Sequence, residues 1–284
     1  MFGSIILDVA LGIILTFLVL SLVTSATVEM LASALAWRAN TLLQGVKELL
    51  NDNAFTGLVK DIYNHAAVNP RTNGTAQTQD QLGAKPSYID PAQFASALID
   101  ILQLAPGVNV TVADLQARVN AALPGAANAQ LRTMLNGMIA RAGGDIDRLH
   151  KDIADWFDAA TDRIAGVYKR KTQLWAFLIA LLLAIVLNID TVKIAQALWQ
   201  QPMIMKGFVA PPAGETAQQA LDQLQNLGIP FGWNALAWTY AWSFPTVLYV
   251  LAGWLISAVA TMFGAPFWFD TLQRCVQLRG AGSR

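Results

Sequence analysis

The sequence predicts an all-α membrane protein: three transmembrane helices, with a helical cytoplasmic domain inserted between the first and second. Three observations lead there. Hydrophobic residues make up 55% of the 284 and charged residues only 13%, against about a quarter charged in ordinary soluble domains. The charges are also segregated, with 14 of the 19 basic and 14 of the 19 acidic residues between Glu29 and Thr172. Finally, no run of period-two alternation reads as a strand, whereas apolar residues recur at threes and fours along most of the chain.

The first span is read within residues 1–28. Ile5 to Val23 is apolar apart from Asp8, Gly12, Thr16 and Ser21, and at 1.5 Å per residue it covers about 30 Å of hydrocarbon. The leader Met-Phe-Gly-Ser carries no Lys or Arg, so the segment reads as a retained anchor rather than a cleaved signal peptide. Met30, Leu31, Leu35, Leu42, Leu43, Val46, Leu49 and Leu50 continue the helical period. The expectation is one long helix from the first span to Asn51.

Residues 29–172 read as the cytoplasmic helical domain. A short helix is expected from Phe55 to Tyr63, followed by a polar, mobile loop over 67–87. In PSYIDPAQF, Asp90 is placed to cap a helix with Pro91 at its first position and Gln93 reaching back. Thr111 and Asp114 repeat that logic for a helix to about Leu123, and Gln130 to Arg141 forms the next. From Asp145, the apolar series Ile146, Leu149, Ile153, Trp156, Phe157, Ala160, Ile164 and Val167 marks a long amphipathic helix.

The second span is read over 173–199. It is uniformly apolar from Leu174 to Leu187 and is expected to continue as helix through Asn188 and Asp190 to Trp199. Residues 200–234 form an external loop. The third span is read over 235–263, kinked at Pro245, with Trp233, Trp238, Tyr240 and Trp242 as an interfacial belt. Gly253, Ser257 and Thr261, four apart, suit close helix packing. Residues 264–284 form a cytoplasmic amphipathic tail after Gly264 and Pro266.

Positive charge sets the direction. Lys169, Arg170 and Lys171 precede the second span as membrane-interface basic residues, and Arg274, Arg279 and Arg284 follow the third. Between those spans lie only Lys193 and Lys206. The positive-inside rule puts the N-terminus outside, with residues 29–172 and the C-terminus in the cytoplasm.

Candidate sites are few. Asp155, Asp158 and Asp162 lie on one side of the long helix with His150 nearby, and oxygen ligands of that kind suit Mg or Mn. The structural reading is the stronger one. Arg148–Asp152 and Lys151–Asp155 are four-apart pairs of opposite sign, and Asp145 and Asp147 suit a helix N-terminus. No catalytic residue, metal ligand or cofactor is therefore assigned. Asp8, Asn188, Asp190 and Lys193 form a candidate intramembrane polar cluster at the outer ends of spans one and two. It is read as structural packing, with an ion path as the alternative. Trp156 and Phe157 are read as core residues or as candidate contacts for a protein partner or for the aromatic tail Phe267, Trp268 and Phe269. One cysteine, Cys275, excludes a disulfide framework. A net charge of zero gives no reason to expect nucleic acid.

PSYID at 86–90, DWFDAATDRIAGVYKRKTQ at 155–173, ALW at 197–199 and GAPFWFDTLQRCVQLRGAG at 264–282 together resemble a family of uncharacterised bacterial integral membrane proteins. The resemblance implies a bacterial inner membrane and a three-span layout, and it supplies no catalytic residues. The expected function is a non-enzymatic anchor or scaffold in contact with the bilayer. Its helical domain would bind a protein partner or form a homo-oligomer. The rival expectation is a component of an ion channel or transporter. A hydrolase using Asp155, Asp158 and Asp162 ranks third.

Overall fold

The computed structural model describes residues 2–103, 111–126, 128–200, 216–227, 229–233 and 246–281. Helices are α1 (Phe2–Ala34), α2 (Trp37–Leu49), α3 (Leu58–Asn64), α4 (Pro91–Ile101), α5 (Val112–Ala122) and α6 (Ala129–Ala142). They continue with α7 (Ile146–Val186), α8 (Thr191–Gln200), α9 (Ala217–Asn226), α10 (Thr246–Thr261) and α11 (Ala265–Ala281). No strand occurs among the described residues. Two compact units emerge, one made of Leu35–Lys169 and the other of Met1–Ala34 with Arg170–Arg284.

In the unit Leu35–Lys169, the first expected helix is interrupted. Ala36 takes a left-handed conformation (φ 47°) and α2 starts afresh at Trp37. The buried stripe Leu42, Leu43, Val46 and Leu50 then joins Ile62, Phe94, Leu98, Leu135, Ile153 and Phe157 in one core. Gly45 is where α2 meets α7: a methyl group there would stand 2.5 Å from the Ile164 side chain.

The expected helix start at Phe55 moves to Leu58. Phe55 is itself left-handed (φ 58°), and its ring is buried against Tyr63. The Asp52 carboxylate accepts hydrogen bonds from the amides of Thr56, Gly57 and Val59 at 2.9–3.1 Å. This carboxylate stands in for the missing helical turn by satisfying amides that a helix start leaves open.

The segment 67–87 is not a loose loop. Val68, Ala76 and Leu82 reach into the core. The Asn64 amide makes two bonds to the backbone of Ala76 (2.8 and 3.0 Å), and Asn69 donates to the Ala84 carbonyl at 2.9 Å. A polar composition can still be ordered when side-chain amides replace a ladder of backbone partners.

The two caps lie where the sequence places them, although at Asp90 only the carboxylate half of the expected box forms, without the return bond from the Gln93 side chain. Asp90 accepts from the amides of Ala92 and Gln93, and Thr111 with Asp114 forms a reciprocal capping box. Hydrogen bonds from the Thr111 amide and hydroxyl hold the Asp114 carboxyl below the ordinary carboxylate range.

In the second unit, α1 buries Leu11, Leu15, Leu18 and Val19 and packs most extensively against α11, with α8, α9 and α10 also in contact. Gly12 allows the Leu198 side chain of α8 to lie against the α1 backbone. Among the described residues, α1 alone (Ile5–Ala34) is by length and apolarity sufficient to cross a membrane. The pairs α7–α8 and α10–α11 qualify only as bent combinations, at 50° and 97°. The continuous second helix expected through Asn188 and Asp190 is thus broken between Val186 and Thr191. The third-span start at Ala235, the kink at Pro245 and the belt of Trp238, Tyr240 and Trp242 lie outside the described residues.

Large apolar side chains are left exposed in stripes. On α7 they include Leu174, Trp175, Leu178, Leu182 and Val186, and on α10 they include Leu248, Leu251, Leu255 and Val259, with Met262 just beyond it. The opposite face of α10, including Val250, Gly253, Trp254, Ser257 and Thr261, is buried.

Two predictions concern the unit Leu35–Lys169. Thr111→Ala removes both the side-chain acceptor and its bond to Asp114, and should destabilise α5 by about 1 kcal/mol, measured by chemical denaturation. Tyr63 is fully buried, its hydroxyl has no hydrogen-bond partner, and burial pushes its pKa above the ordinary phenol range. In the unfolded chain the phenol ionises near pH 10, so the unfolded state binds fewer protons there and stability must fall as pH rises. Tyr63→Phe should be neutral or stabilising by about 1 kcal/mol at pH 7 and should flatten the alkaline loss, read from denaturation midpoints between neutral and alkaline pH.

Candidate functional site

The break between α7 and α8 brings together the buried polar side chains of Asn188, Asp190 and Ser257. Its origin is local. Asn188 adopts φ 47°, a conformation that Asn tolerates better than most residues. Asp190 follows two residues later and caps α8, its carboxylate accepting from the amides of Val192 (2.9 Å) and Lys193 (3.2 Å).

A broken helix exposes carbonyls and amides that would otherwise pair along its axis, and here each neighbour answers one of them. The Leu187 carbonyl accepts from the Gly232 amide at 2.7 Å, and the Ile189 amide donates to the Ala184 carbonyl at 2.8 Å. The Trp233 indole donates to the Ile185 carbonyl at 2.9 Å. From α10, the Ser257 hydroxyl lies 2.8 Å from the Ile189 carbonyl and 2.9 Å from that of Gly253. Its single hydrogen is shared between them, so the Thr191 hydroxyl, 2.7 Å away, is the donor to Ser257. Asn188 uses both ends of its amide: it donates to the Gly232 carbonyl at 3.0 Å and accepts from the Trp254 indole at 3.3 Å. Trp254 and Trp233 meet edge to face at 5.8 Å.

Of the predicted cluster, Asn188 and Asp190 are therefore together, 3% and 2% exposed, and Lys193 joins through its backbone amide. Asp8 is buried on α1, 8% exposed. The contributions of Ser257, Trp254, Gly232 and Trp233 were not anticipated as partners of this cluster. The only sequence signal was the four-residue spacing of Gly253, Ser257 and Thr261. Gly253 has a specific reason to be glycine, because a methyl group there would overlap the Asp190 carboxylate.

The aromatic candidates are divided. Phe157 is fully buried and stacks on Phe94 with centroids 3.7 Å apart, with Trp156 at 6.3 Å from the same ring. Of the two readings of Phe157, core or partner contact, its burial is that of a core residue. In the other unit, Trp268 packs on Phe17 at 4.8 Å and donates its indole hydrogen to the Ala260 carbonyl at 2.7 Å. Phe269 is partly buried in the same core, while Phe267 stays half exposed against Phe263 and Trp268. The tail aromatics are thus engaged by α1 and α10.

The acidic stretch of α7 is also resolved into parts. Lys151 donates to Asp155 at 2.6 Å, which raises the lysine pKa. His150 Nε2 lies 3.0 Å from both the Ser96 hydroxyl and the Ala92 carbonyl, tying α7 to α4. Asp158 and Asp162 line a cavity of about 300 Å³. Among the described residues, no group of three or more His, Cys, Asp or Glu side chains is placed to hold a metal ion. Lys169, Arg170 and Lys171 are exposed on α7.

Gly253→Ala must displace the Asp190 carboxylate or separate α10 from the break. It should lower the thermal stability of the detergent-solubilised protein by about 1–3 kcal/mol, whereas Gly166→Ala, with open space around it, should be neutral or slightly stabilising. Comparison of the chain with protein families, with curated proteins and with solved structures finds no match.

Proposed function

We propose that the chain is a non-enzymatic anchor of a bacterial inner membrane, of the kind its motifs resemble. In this reading it holds a helical domain in the cytoplasm, where that domain binds a protein partner or self-assembles. The observation that carries the reading is the division of labour along the chain. The unit Leu35–Lys169 has a continuous core of its own, while the flanking residues supply an apolar helix long enough to cross a bilayer. The exposed stripes on α7 and α10 support two further crossings, since contiguous apolar surface of that extent suits lipid better than water. The exposed Lys169–Lys171 triplet supports a cytoplasmic entrance to the second crossing.

The buried polar groups favour the same conclusion. Asn188, Asp190, Thr191 and Ser257 are occupied in capping and cross-linking helices, which is structural work. An ion path remains the second reading because Asp8 and Asp190 are both buried carboxylates in an apolar unit, and such residues often serve transport.

Affinity purification from native membranes in mild detergent should yield a discrete assembly larger than the 30.7 kDa chain, either a homo-oligomer or a complex with a second protein identified by mass spectrometry. A monodisperse single chain that turns over a substrate would overturn the anchor. Asp8→Asn and Asp190→Asn should leave ion flux across proteoliposomes unchanged, because Asn also caps helices well. Abolished flux would establish the second reading.

A further inference from the structure

The sequence contains two Asn-Gly pairs, Asn73-Gly74 and Asn136-Gly137, and the fold treats them in opposite ways. In such a pair the following backbone amide reaches the Asn side chain with least obstruction, because glycine has no Cβ. Asn136 lies inside α6, where the amide of residue 137 is committed to the carbonyl four residues earlier. The Asn136 Nδ2 donates to Asn120 Oδ1 at 3.0 Å, and the Asn136 carbonyl accepts from the Gln116 side chain at 3.2 Å. Asn73, Gly74 and Thr75 are instead exposed and outside any helix. Among the described residues, neither the Gly74 amide nor the Asn73 Nδ2 donates a hydrogen bond.

The Asn73 side chain is also polarised. Its Oδ1 accepts from the Thr75 hydroxyl at 2.9 Å and from the Thr75 amide at 3.4 Å. These bonds fold the side chain back along its own backbone. Both donors point at the oxygen on which negative charge develops when Cγ is attacked, so they favour that attack. Gly74 is left-handed (φ 71°), and a Cβ there would stand 2.9 Å from the Asn64 carbonyl. The fold therefore requires the one residue type that leaves the attacking amide unhindered. We propose that Asn73 is a site of spontaneous deamidation, activated by Thr75. The Gly74 nitrogen attacks Asn73 Cγ and gives up its proton, the Cγ–Nδ2 bond breaks, and ammonia leaves a five-membered succinimide. Water then reopens the ring, giving aspartate when it adds at Cγ and isoaspartate when it adds at the backbone carbonyl. The net reaction consumes one water and releases one ammonia, with no change of oxidation state. Either product carries a new negative charge. Isoaspartate also lengthens the backbone by one carbon, three residues before the Ala76 that Asn64 clamps.

The test follows the purified full chain in detergent at mildly alkaline pH, with proteolytic peptides separated and weighed by mass spectrometry at intervals. Peptides spanning residue 73 should accumulate the aspartyl and isoaspartyl forms at least about tenfold faster than those spanning residue 136, where reaction requires local opening of α6. The rate at Asn73 should rise with pH, since the attacking amide must lose its proton. In guanidinium chloride the difference between the sites should collapse, because the unfolded chain offers both pairs alike. Thr75→Val, lacking the hydroxyl donor, should slow conversion at Asn73 in the folded chain and leave it unchanged in denaturant. Comparable rates at the two sites in the folded chain, or an inert Asn73 there beside conversion in denaturant, overturns the proposal. An unaltered folded-state rate in Thr75→Val overturns the assignment of Thr75 as the activating donor.

Discussion

A helix broken inside an apolar core must satisfy its freed backbone groups from within the protein, and the interruption at Leu187–Asp190 meets that demand with partners from elsewhere in the chain. The carbonyls of Ile185, Leu187 and Ile189 receive donors from Trp233, Gly232 and Ser257 respectively. Each donor comes from a different part of the sequence from its acceptor, so the break specifies which segments must assemble around it. The identity of Gly253, the burial of Ser257 and the contact between Trp233 and Trp254 all follow from it. An uninterrupted helix would have needed none of them.

Buried polar groups are costly when unpaired and strongly orienting when paired. In the apolar unit Asn188 and Asp190 are both paired. Asp190 spends its carboxylate on the first amides of α8, and Asn188 links the 229–233 segment to α10. Packing of α1 against α8 and α11 then depends on close approach at Gly12 and on the fit of Trp268 to Phe17. The helical unit Leu35–Lys169 follows ordinary soluble rules instead: an aromatic and aliphatic core, side-chain caps at α4 and α5, and amide clamps from Asn64 and Asn69.

The long acidic and basic helix illustrates how one element can hold several separate roles. Its buried side places Leu149, Ile153 and Phe157 in the core of the helical unit. Its acidic side divides between the Lys151–Asp155 pair and the two carboxylates, Asp158 and Asp162, that line a cavity. Its distal end exposes apolar side chains from Leu174 onward. Spacing alone presents the three aspartates as equivalents, and only the neighbouring helices distinguish them.

The sequence by itself determined the helical class, the apolar first helix, the buried faces of α2 and α7, and the caps at Asp90 and Thr111. These depend on local periodicity and on hydrogen bonds between residues two or three apart, which a linear pattern contains. Tertiary structure decided the breaks at Ala36 and Asn188, the late start of α3, the ordering of 67–87 and the placement of Phe157 and Trp268. At Asn188, and along 67–87, the helical ladder is traded for partners distant in the chain, such as Gly232 and Ser257 for the break and Asn64 for Ala76. The energetic balance between helix and break is therefore set by contacts that no local window of sequence can express.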